Sequence, residues 1–207
     1  MLTMNILRHG ALEGGVKYRG RVDDPLTADG RTSMDSIWSH LQDEVDTIVT
    51  SPLIRCAEPA KSWAEEAGIE CIIEPRVAEI HYGEWEGKTI PQLQAEYPDM
   101  LARWRNNPQG MRPPGGESPE ELLARLNEWW SEVCQSHDGK QLLLVTHSGS
   151  MRMLIAHALN APIATSRHLA MPYCCWSRIS HDNGSSQLIF HNREIYWSDE
   201  RDPKHGI

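Results

Sequence analysis

The sequence predicts an α/β fold in which a mostly parallel central sheet lies between two helical layers, a three-layer α/β/α sandwich. Short apolar segments typical of buried strands alternate along the chain with helical stripes and helix-capping signals. Two late apolar runs, "YCCWSRIS" and "QLIFHN", are joined by the turn signal "HDNGSS", which predicts an antiparallel hairpin. The length of 207 residues suits a single domain, predicted over residues 1–207.

The N-terminal half contains three predicted strands and two predicted helices. The strands are the apolar runs at residues 4–7, 46–51 and 71–75. Apolar residues spaced three and four apart indicate the first helix, namely Met34, Ile37, Trp38, Leu41 and Val45. Ser51 as N-cap, Pro52 at the first helical position and Gly68 as the stop predict the second helix.

The C-terminal half begins with a region, residues 81–116, that is rich in Trp, Pro and Gly and is predicted to be irregular. Ser118, Pro119 and Glu121 then supply the N-cap, the first-turn proline and the capping-box acid of a long helix. A strongly apolar strand ending at Thr146 follows. The segment "SMRMLIAHAL" after it is predicted to be a helix that is apolar on most sides.

The composition argues against several classes of function. The formal net charge of −9 predicts a surface that repels nucleic acid and anionic lipid, so neither is expected as a partner. No apolar run approaches the roughly 20 residues that span a membrane, and the start "MLTMNILRHG" lacks signal-peptide features, so a cytoplasmic protein is expected. The five cysteines include no C-x-x-C pair, which argues against a disulfide framework or a zinc site.

Polar side chains follow the predicted strands at their carboxyl ends. In sheets of this kind, ligands bind beyond those ends. We therefore select the residues found there as candidates for a functional site. They are Arg8, His9, Ser51 with the nearby Arg55, Glu79, His81 and His147.

This set suits the binding of a phosphomonoester. Such a group carries about two negative charges at neutral pH and three exposed oxygens, which arginine forks and N–H donors recognise. Arg8 and Arg55 supply the forks, and Arg55 lies near the start of a predicted helix, where free N–H groups favour anions. The expected partner is therefore a small phosphorylated metabolite, bound in a local basic pocket.

The same set suits phosphoryl transfer through a covalent intermediate. Neutral His9 is a candidate nucleophile that attacks phosphorus in line and forms a phosphoramidate, which water later cleaves. Gly10 allows a close backbone approach and can hold the other ring nitrogen in one tautomer. His147 can donate to an equatorial oxygen, and Glu79 can protonate the leaving alkoxide and then take a proton from water. With these cations present, no metal ion is required.

Several ordered motifs resemble those of one known family, the histidine phosphatase superfamily, also called phosphoglycerate mutase-like. "LRHG" resembles its nucleophile motif, and "YRGRVDDPLTADGR" resembles the block that follows it. "TSPLIRCAEPA" is similar to its arginine motif, and "AEIHYGEWEG" is similar to its acid motif. "PPGGES" and "LLLVTHSGSMRMLI" match its late motifs. The resemblance covers nearly the whole chain.

The resemblance implies a phosphoglycerate mutase-like fold and a chemistry assigned residue by residue. It implies that His9 is phosphorylated and that Glu79 is the proton donor. It further implies that Arg8, Arg55 and His147 hold the phosphate, and that the phosphatase branch needs no cofactor.

The positions around this set include further substrate contacts and two departures from the family pattern. Arg19 and Gly20 occupy positions that face the substrate in relatives. Relatives commonly carry an asparagine six residues after the nucleophile, and this chain has Gly15 there. The usual glycine after the second histidine is Ser148, whose hydroxyl could add a donor. The predicted substrate-binding residues are Arg8, Arg19, Gly20, Arg55, His147 and Ser148.

Among members of the family, the chain is most similar to alpha-ribazole phosphatase-type enzymes. Residues 81–118 are predicted to form a compact lid over the site, as in that branch. The lid residues expected to shape the site for the leaving group are Trp85, Arg103, Trp104, Arg105 and Arg112.

Three alternatives stand beside this interpretation. The first is a phosphoglycerate mutase, although mutases usually carry a longer lid that keeps water from the phosphohistidine. The second is a signalling phosphatase for protein phosphohistidine, against which the Trp- and Pro-rich lid argues. The third is a phosphate-binding relative without activity, which would have no need of Glu79. The sequence leaves open the leaving group and the oligomeric state, including a homodimer.

Overall fold

The central feature of the fold is one six-stranded sheet with the order β3-β2-β4-β1-β5-β6. The computed structural model describes residues 1–193, so the last part of the domain predicted over residues 1–207 lies outside it. The strands are β1 (Leu2–Arg8), β2 (Thr47–Thr50), β3 (Glu70–Ile73), β4 (Gln141–Thr146), β5 (Trp176–Asp182) and β6 (Ser185–Phe190). The first four strands are parallel, and β5 and β6 are antiparallel additions.

Helices cover both faces of this sheet, which confirms the predicted three-layer α/β/α sandwich. They are α1 (Ala28–Leu41), α2 (Ile54–Ala67), α3 (Ile90–Glu96), α4 (Pro98–Asn106), α5 (Pro119–Ser136) and α6 (Ser148–Ala158). Apolar side chains of α1 and α2 form one core cluster with the sheet, and those of α3 to α6 form a second. Within residues 1–193, no helix is long and apolar enough to cross a membrane.

The two central strands supply side chains to both cores. In β4, Leu142 and Leu144 belong to the cluster with α5 and α6, whereas Leu143 and Val145 belong to the cluster with α1 and α2. Successive side chains of a strand point to opposite faces, so a strand covered on both faces is a continuous apolar run. This explains why β4 was recognisable from its sequence.

The start of α2 differs from the prediction. Ser51 is not its N-cap and Pro52 is not its first residue, because the helix begins at Ile54 and its N-cap, Leu53, makes no side-chain cap hydrogen bond. The Ser51 hydroxyl is instead engaged by the ring of His147, at 2.7 Å between Oγ and Nε2. The predicted stop is confirmed, since Gly68 adopts the left-handed conformation that ends helices (φ 68°).

The segment predicted to be an irregular lid contains regular structure. It holds a short 3₁₀ turn at Gly83–Trp85 and the helices α3 and α4. Thr89 and Gln92 form a capping box at the start of α3, and Pro98 opens α4. These helices have only seven and nine residues, too few for an apolar repeat to stand out in the sequence.

Two local predictions in the C-terminal half are confirmed. Ser118 and Glu121 form both hydrogen bonds of the capping box at the start of α5. Asn183 and Gly184 connect β5 to β6 with φ angles of 48° and 78°. Two consecutive positive φ angles are typical of the type I′ turn, which suits the twist of an antiparallel hairpin.

Candidate active site

The carboxyl ends of the parallel strands open into a cavity of about 370 Å³. Most of the residues selected from the sequence meet there. Those that line the cavity are Arg8, His9, Arg19, Gly20, Arg55, Glu79 and Ser148. His147 lies directly behind, with its ring centroid 5.3 Å from that of His9. The strand-end candidate His81 does not line the cavity; its ring lies 3.6 Å from the Glu86 carboxylate.

His9 presents one ring nitrogen to this cavity. Its side chain is only 5% exposed, and Nδ1 lies 2.9 Å from the carbonyl oxygen of Gly10. Because a carbonyl can only accept, Nδ1 carries the proton and Nε2 carries the lone pair. Burial, together with the positive charges of Arg8 and Arg55, holds the pKa of His9 well below its usual value. His9 is therefore neutral at neutral pH, with a free basic nitrogen facing the cavity.

Packing requires a glycine at position 10. A Cβ at this position would lie 2.2 Å from the carbonyl oxygen of Gly30, in the first turn of α1. A Cβ on Gly30 would in turn lie 2.3 Å from the carbonyl oxygen of Ala11. The loop that carries His9 is therefore held against the start of α1 by direct backbone contact.

We expect the imidazole of His9 to remain the neutral Nδ1–H tautomer below the pH of about 6.5 at which an ordinary histidine takes up its second proton. Desolvation and the nearby guanidinium groups oppose protonation, so acidification must reach a lower pH before the ring takes a second proton. Long-range ¹⁵N–¹H NMR of ¹⁵N-histidine protein measures this. A titration midpoint at 6.5 or above would contradict it.

Arg8 is the last residue of β1, and its guanidinium lines the cavity. The guanidinium carbon lies 4.3 Å above the ring of Tyr173, and Nη1 donates to the carbonyl of Met171. Among residues 1–193, the buried Nε of Arg8 has no hydrogen-bond partner. The guanidinium as a whole lines the cavity, where its positive charge favours an anionic acceptor.

Arg55 and His147 form a buried hydrogen-bonded unit. Arg55 is 1% exposed and donates from Nε to Nδ1 of His147 over 3.2 Å, and its two Nη atoms donate to the carbonyls of Val22 and Gly20. Since Nδ1 accepts, the neutral ring of His147 carries its proton on Nε2 and donates to Ser51. Burial first, and Arg55 next, lower the pKa of His147 well below its usual value.

This arrangement differs from the predicted role of His147. Both of its ring nitrogens have protein partners, and the ring is fully buried behind the cavity. In this arrangement its Nε2–H is directed at Ser51, and a bond from His147 to an equatorial phosphate oxygen stays a prediction. The prediction overlooked Ser51 as a competing acceptor, because the serine had been assigned to a helix cap.

Arg19 and Gly20 reach the cavity from the loop after His9. Arg19 is 6% exposed; its Nε donates to Asp24 and its Nη2 donates to the carbonyls of Glu13 and Gly15. Gly15, at the position where relatives carry asparagine, thus contributes a carbonyl that fixes a cation. The carbonyl of Gly20 holds Arg55.

Glu79 lies at the N-terminus of α6. It is 6% exposed and does not follow a strand directly, because a 3₁₀ turn (Pro75–Val77) separates it from β3. Its Oε2 accepts from Gly149 N (3.1 Å) and Ser148 Oγ (3.3 Å), and its Oε1 accepts from Ser150 N (3.2 Å). The N-cap residue of α6 makes no side-chain cap, so the Glu79 carboxyl satisfies these amides from another part of the chain.

A methyl group at residue 149 should displace this carboxyl. A Cβ on Gly149 would lie 2.3 Å from Oε1 of Glu79. We expect Gly149→Ala to lower kcat/KM for an alkyl phosphate by at least about tenfold, because a small misplacement of a catalytic group is costly. Steady-state kinetics and circular dichroism check this; full activity in the folded variant would contradict it. Ser131→Ala, at an exposed position of α5, is the control for stability.

Several lining residues were not selected from the sequence. Arg152 projects from α6 one turn after Ser148, a spacing that could have identified it. Arg167 lies in a short 3₁₀ segment (Ile163–His168) and Tyr173 lies in a loop, and neither segment carries such a signal. Of the lid residues expected to shape the site, Trp104 lines the cavity, whereas Arg112 pairs with Glu121 at the surface. Within residues 1–193, no group of three or more His, Cys, Asp or Glu is placed to hold a metal ion.

The chain is similar to known proteins over most of its length. The adenosylcobalamin/alpha-ribazole phosphatase of Salmonella typhimurium is 28% identical over 198 residues, covering 94% of this chain and 98% of that protein. A Photorhabdus laumondii protein named "Probable phosphoglycerate mutase GpmB" is 31% identical over 186 residues, covering 88% of this chain and 86% of that protein. A mycobacterial glucosyl-3-phosphoglycerate phosphatase solved in complex with VO3 has a TM-score of 0.85 at 27% identity, covering 93% of this chain and 99% of that chain. The model of the histidine phosphatase superfamily (branch 1) matches residues 4–194, and the chain belongs to that superfamily as one of its phosphatases.

Proposed function

We propose that the protein is a metal-independent phosphomonoesterase that works through a phosphohistidine at His9. The observation that carries the proposal is the neutral, 5% exposed imidazole of His9, whose Nε2 faces a cavity lined by Arg8 and Arg55. A neutral imidazole is a nucleophile, and the flanking guanidinium groups attract and neutralise a phosphoryl group.

The first step transfers the phosphoryl group to the enzyme. Nε2 of His9 attacks phosphorus in line, an N–P bond forms, and the P–O bond to the leaving group breaks. Arg8 and Arg55, which line the cavity, stabilise the charge on the equatorial oxygens. Glu79 gives its proton to the departing alkoxide, which leaves as an alcohol.

The second step returns the enzyme to its starting state. Glu79, now a carboxylate, takes a proton from a water molecule that attacks phosphorus. The N–P bond breaks, inorganic phosphate leaves, and the proton stays on Glu79 for the next cycle. The net reaction converts a phosphomonoester and water into an alcohol and phosphate.

His147 acts in this proposal as a positioning residue. It accepts from Arg55 and donates to Ser51, so it fixes the guanidinium that faces the phosphate. Ser148 and Arg19 line the same cavity: Arg19 adds positive charge near the phosphoryl group, and the Ser148 hydroxyl donates to Glu79.

The proposed substrate is a small phosphorylated metabolite, with alpha-ribazole 5′-phosphate as the first candidate because a similar phosphatase bears that name. A phosphoglycerate mutase is the alternative that the second relative suggests. Against it stands the lid, whose two helices have only seven and nine residues, since a mutase must keep water from its phosphohistidine.

The experiment that tests the proposal is a panel of phosphomonoesters assayed with and without EDTA. The panel contains p-nitrophenyl phosphate, alpha-ribazole 5′-phosphate, 3-phosphoglycerate and nucleotides, compared by kcat/KM. We expect release of inorganic phosphate that EDTA leaves unchanged, because the arginines supply the positive charge. Loss of activity with EDTA, or conversion of 3-phosphoglycerate to its isomer without phosphate release, would overturn the proposal.

A further inference from the structure

The cavity holds more positive charge than one phosphoryl group requires. Its lining includes six cationic side chains and, among the described residues, one carboxylate, Glu79. The cations are Arg8, Lys17, Arg19, Arg55, Arg152 and Arg167. A phosphomonoester brings about two negative charges. On a chain with a formal net charge of −9, such a local surplus is a specific feature of this site.

Part of this charge is already compensated by the protein. Lys17 and Arg19 share the carboxylate of Asp24, at 2.8 and 2.9 Å. Arg55 lies 3.6 Å from the carboxylate of Asp23. Arg8 belongs to the phosphoryl site itself. Two guanidinium groups remain, those of Arg152 and Arg167, and no carboxylate of residues 1–193 lies within ion-pair distance of either.

Arg152 and Arg167 are held in place without being neutralised. Nε of Arg152 donates to the carbonyl of Leu169 over 2.9 Å, and Nε of Arg167 donates to the carbonyl of Arg105 over 3.2 Å. Their Nη groups make no hydrogen bond to any other described residue. Each side chain is therefore anchored at its Nε, with the end of its fork free for a ligand. Forks fixed in this way suit two-point recognition of a carboxylate or phosphate.

The two groups also influence each other. Burial and the charge of Arg167 lower the pKa of Arg152. Two cations brought together in a partly dry site repel each other, and an anion placed between them removes that repulsion. Tyr18 and Tyr82 line the same cavity and give this part of it an aromatic wall.

We propose that Arg152 and Arg167 bind a second anionic group, a carboxylate or a phosphate, on the leaving group of the substrate. This inference rests on the proposed function for placing the reacting phosphoryl group at His9. It narrows the substrate class to phosphomonoesters that are anionic at a second position. Alpha-ribazole 5′-phosphate, the candidate taken from a relative's name, lacks a second anionic group, so the test below also distinguishes between these two substrate classes.

The test measures binding, so that turnover does not enter. In a His9→Asn background, isothermal titration compares two pairs of ligands that differ in the second anion. One pair is 3-phosphoglycerate and glycerol 3-phosphate, for a carboxylate. The other pair is fructose 1,6-bisphosphate and fructose 6-phosphate, for a phosphate. In each pair, we define the Kd ratio as the Kd of the ligand with one anionic group divided by the Kd of the ligand with two. We expect this ratio to be at least about ten in one or both pairs. The pair that shows it identifies the second anion as a carboxylate or a phosphate.

Variants then assign the ratio to the two arginines. Arg152→Gln and Arg167→Gln should each reduce the Kd ratio at least about fivefold. Arg103→Gln, an exposed arginine of α4 outside the cavity, should leave it unchanged. Arg167 is half-buried in a 3₁₀ segment, so its variant remains informative if Arg152→Gln fails to fold. Ratios near one in both pairs, or a ratio retained in Arg167→Gln, would overturn the inference.

Failure of the proposed function would look different. It would show as wild-type protein that releases no phosphate from p-nitrophenyl phosphate, whatever the binding ratios. Hydrolysis of p-nitrophenyl phosphate together with Kd ratios near one would leave the phosphomonoesterase standing and remove the anion site alone.

Discussion

Replacing His9 with alanine is expected to lower kcat/KM for p-nitrophenyl phosphate by at least about 10⁴-fold, the scale seen when a covalent nucleophile is removed. Alanine offers no lone pair to phosphorus, while Arg8 and Arg55 remain to bind the substrate. The ring borders an open cavity, so its loss leaves no sealed void and the fold should persist. Steady-state kinetics and near-UV circular dichroism measure the two effects.

A matched control and a direct test for the intermediate accompany this variant. His137→Ala changes a histidine at the end of α5, close to the amino end of β4 and therefore at the opposite edge of the sheet, and should retain full activity. Rapid quenching with ³²P-labelled substrate should trap an acid-labile, base-stable phosphoryl group in wild-type protein and none in the variant. Appreciable turnover by folded His9→Ala would remove His9 as the nucleophile.

Glu79→Gln is expected to separate substrates by the quality of their leaving group. A glutamine gives no proton, so an alkyl phosphate with a poor leaving group should lose about 10²–10⁴-fold in kcat/KM. p-Nitrophenyl phosphate should lose much less, because p-nitrophenolate leaves without full protonation. The measurement is kcat/KM for both substrates in wild-type and variant protein. Equal losses on both would contradict the role of Glu79 as the acid.

This variant should also lower the free energy of unfolding. Both oxygens of Glu79 accept hydrogen bonds from the start of α6, so in either orientation the amide nitrogen of glutamine faces N–H or O–H donors. The cost is about 1–3 kcal/mol, that of leaving a buried donor unsatisfied. Denaturant unfolding measures it, with exposed Glu65→Gln as the control. A stability loss that accompanied equal kinetic losses would identify Glu79 as structural only.

The sequence was most informative where the chain leaves the sheet. Arg8 and His9 follow a strand whose both faces are buried, and such a strand is recognisable as a short apolar run. The strand-end rule then places them in the cavity without any structural knowledge. Glu79 was found by the same rule, although a 3₁₀ turn intervenes between it and its strand.

The remaining parts depend on contacts between distant segments. Ser51 has the composition of a helix cap, and its use by His147, 96 positions away, leaves no local signal. Arg167 is held at the cavity by a hydrogen bond from its Nε to a backbone carbonyl of α4. Only the tertiary structure brings these two segments together. The lid helices are too short for a periodic pattern, so their sequence resembled a loop.

The contact between Glu79 and α6 makes one carboxyl serve two purposes. The carboxyl group of Glu79, which is assigned to proton transfer, also accepts hydrogen bonds from the backbone amides of Gly149 and Ser150. Arg152 lies on the same helix. Gain or loss of one proton on Glu79 therefore alters the strength of the hydrogen bonds that hold the N-terminus of α6. The NMR chemical shifts of the Gly149 and Ser150 amides should therefore report the protonation state of Glu79 during the reaction, without any label on the substrate.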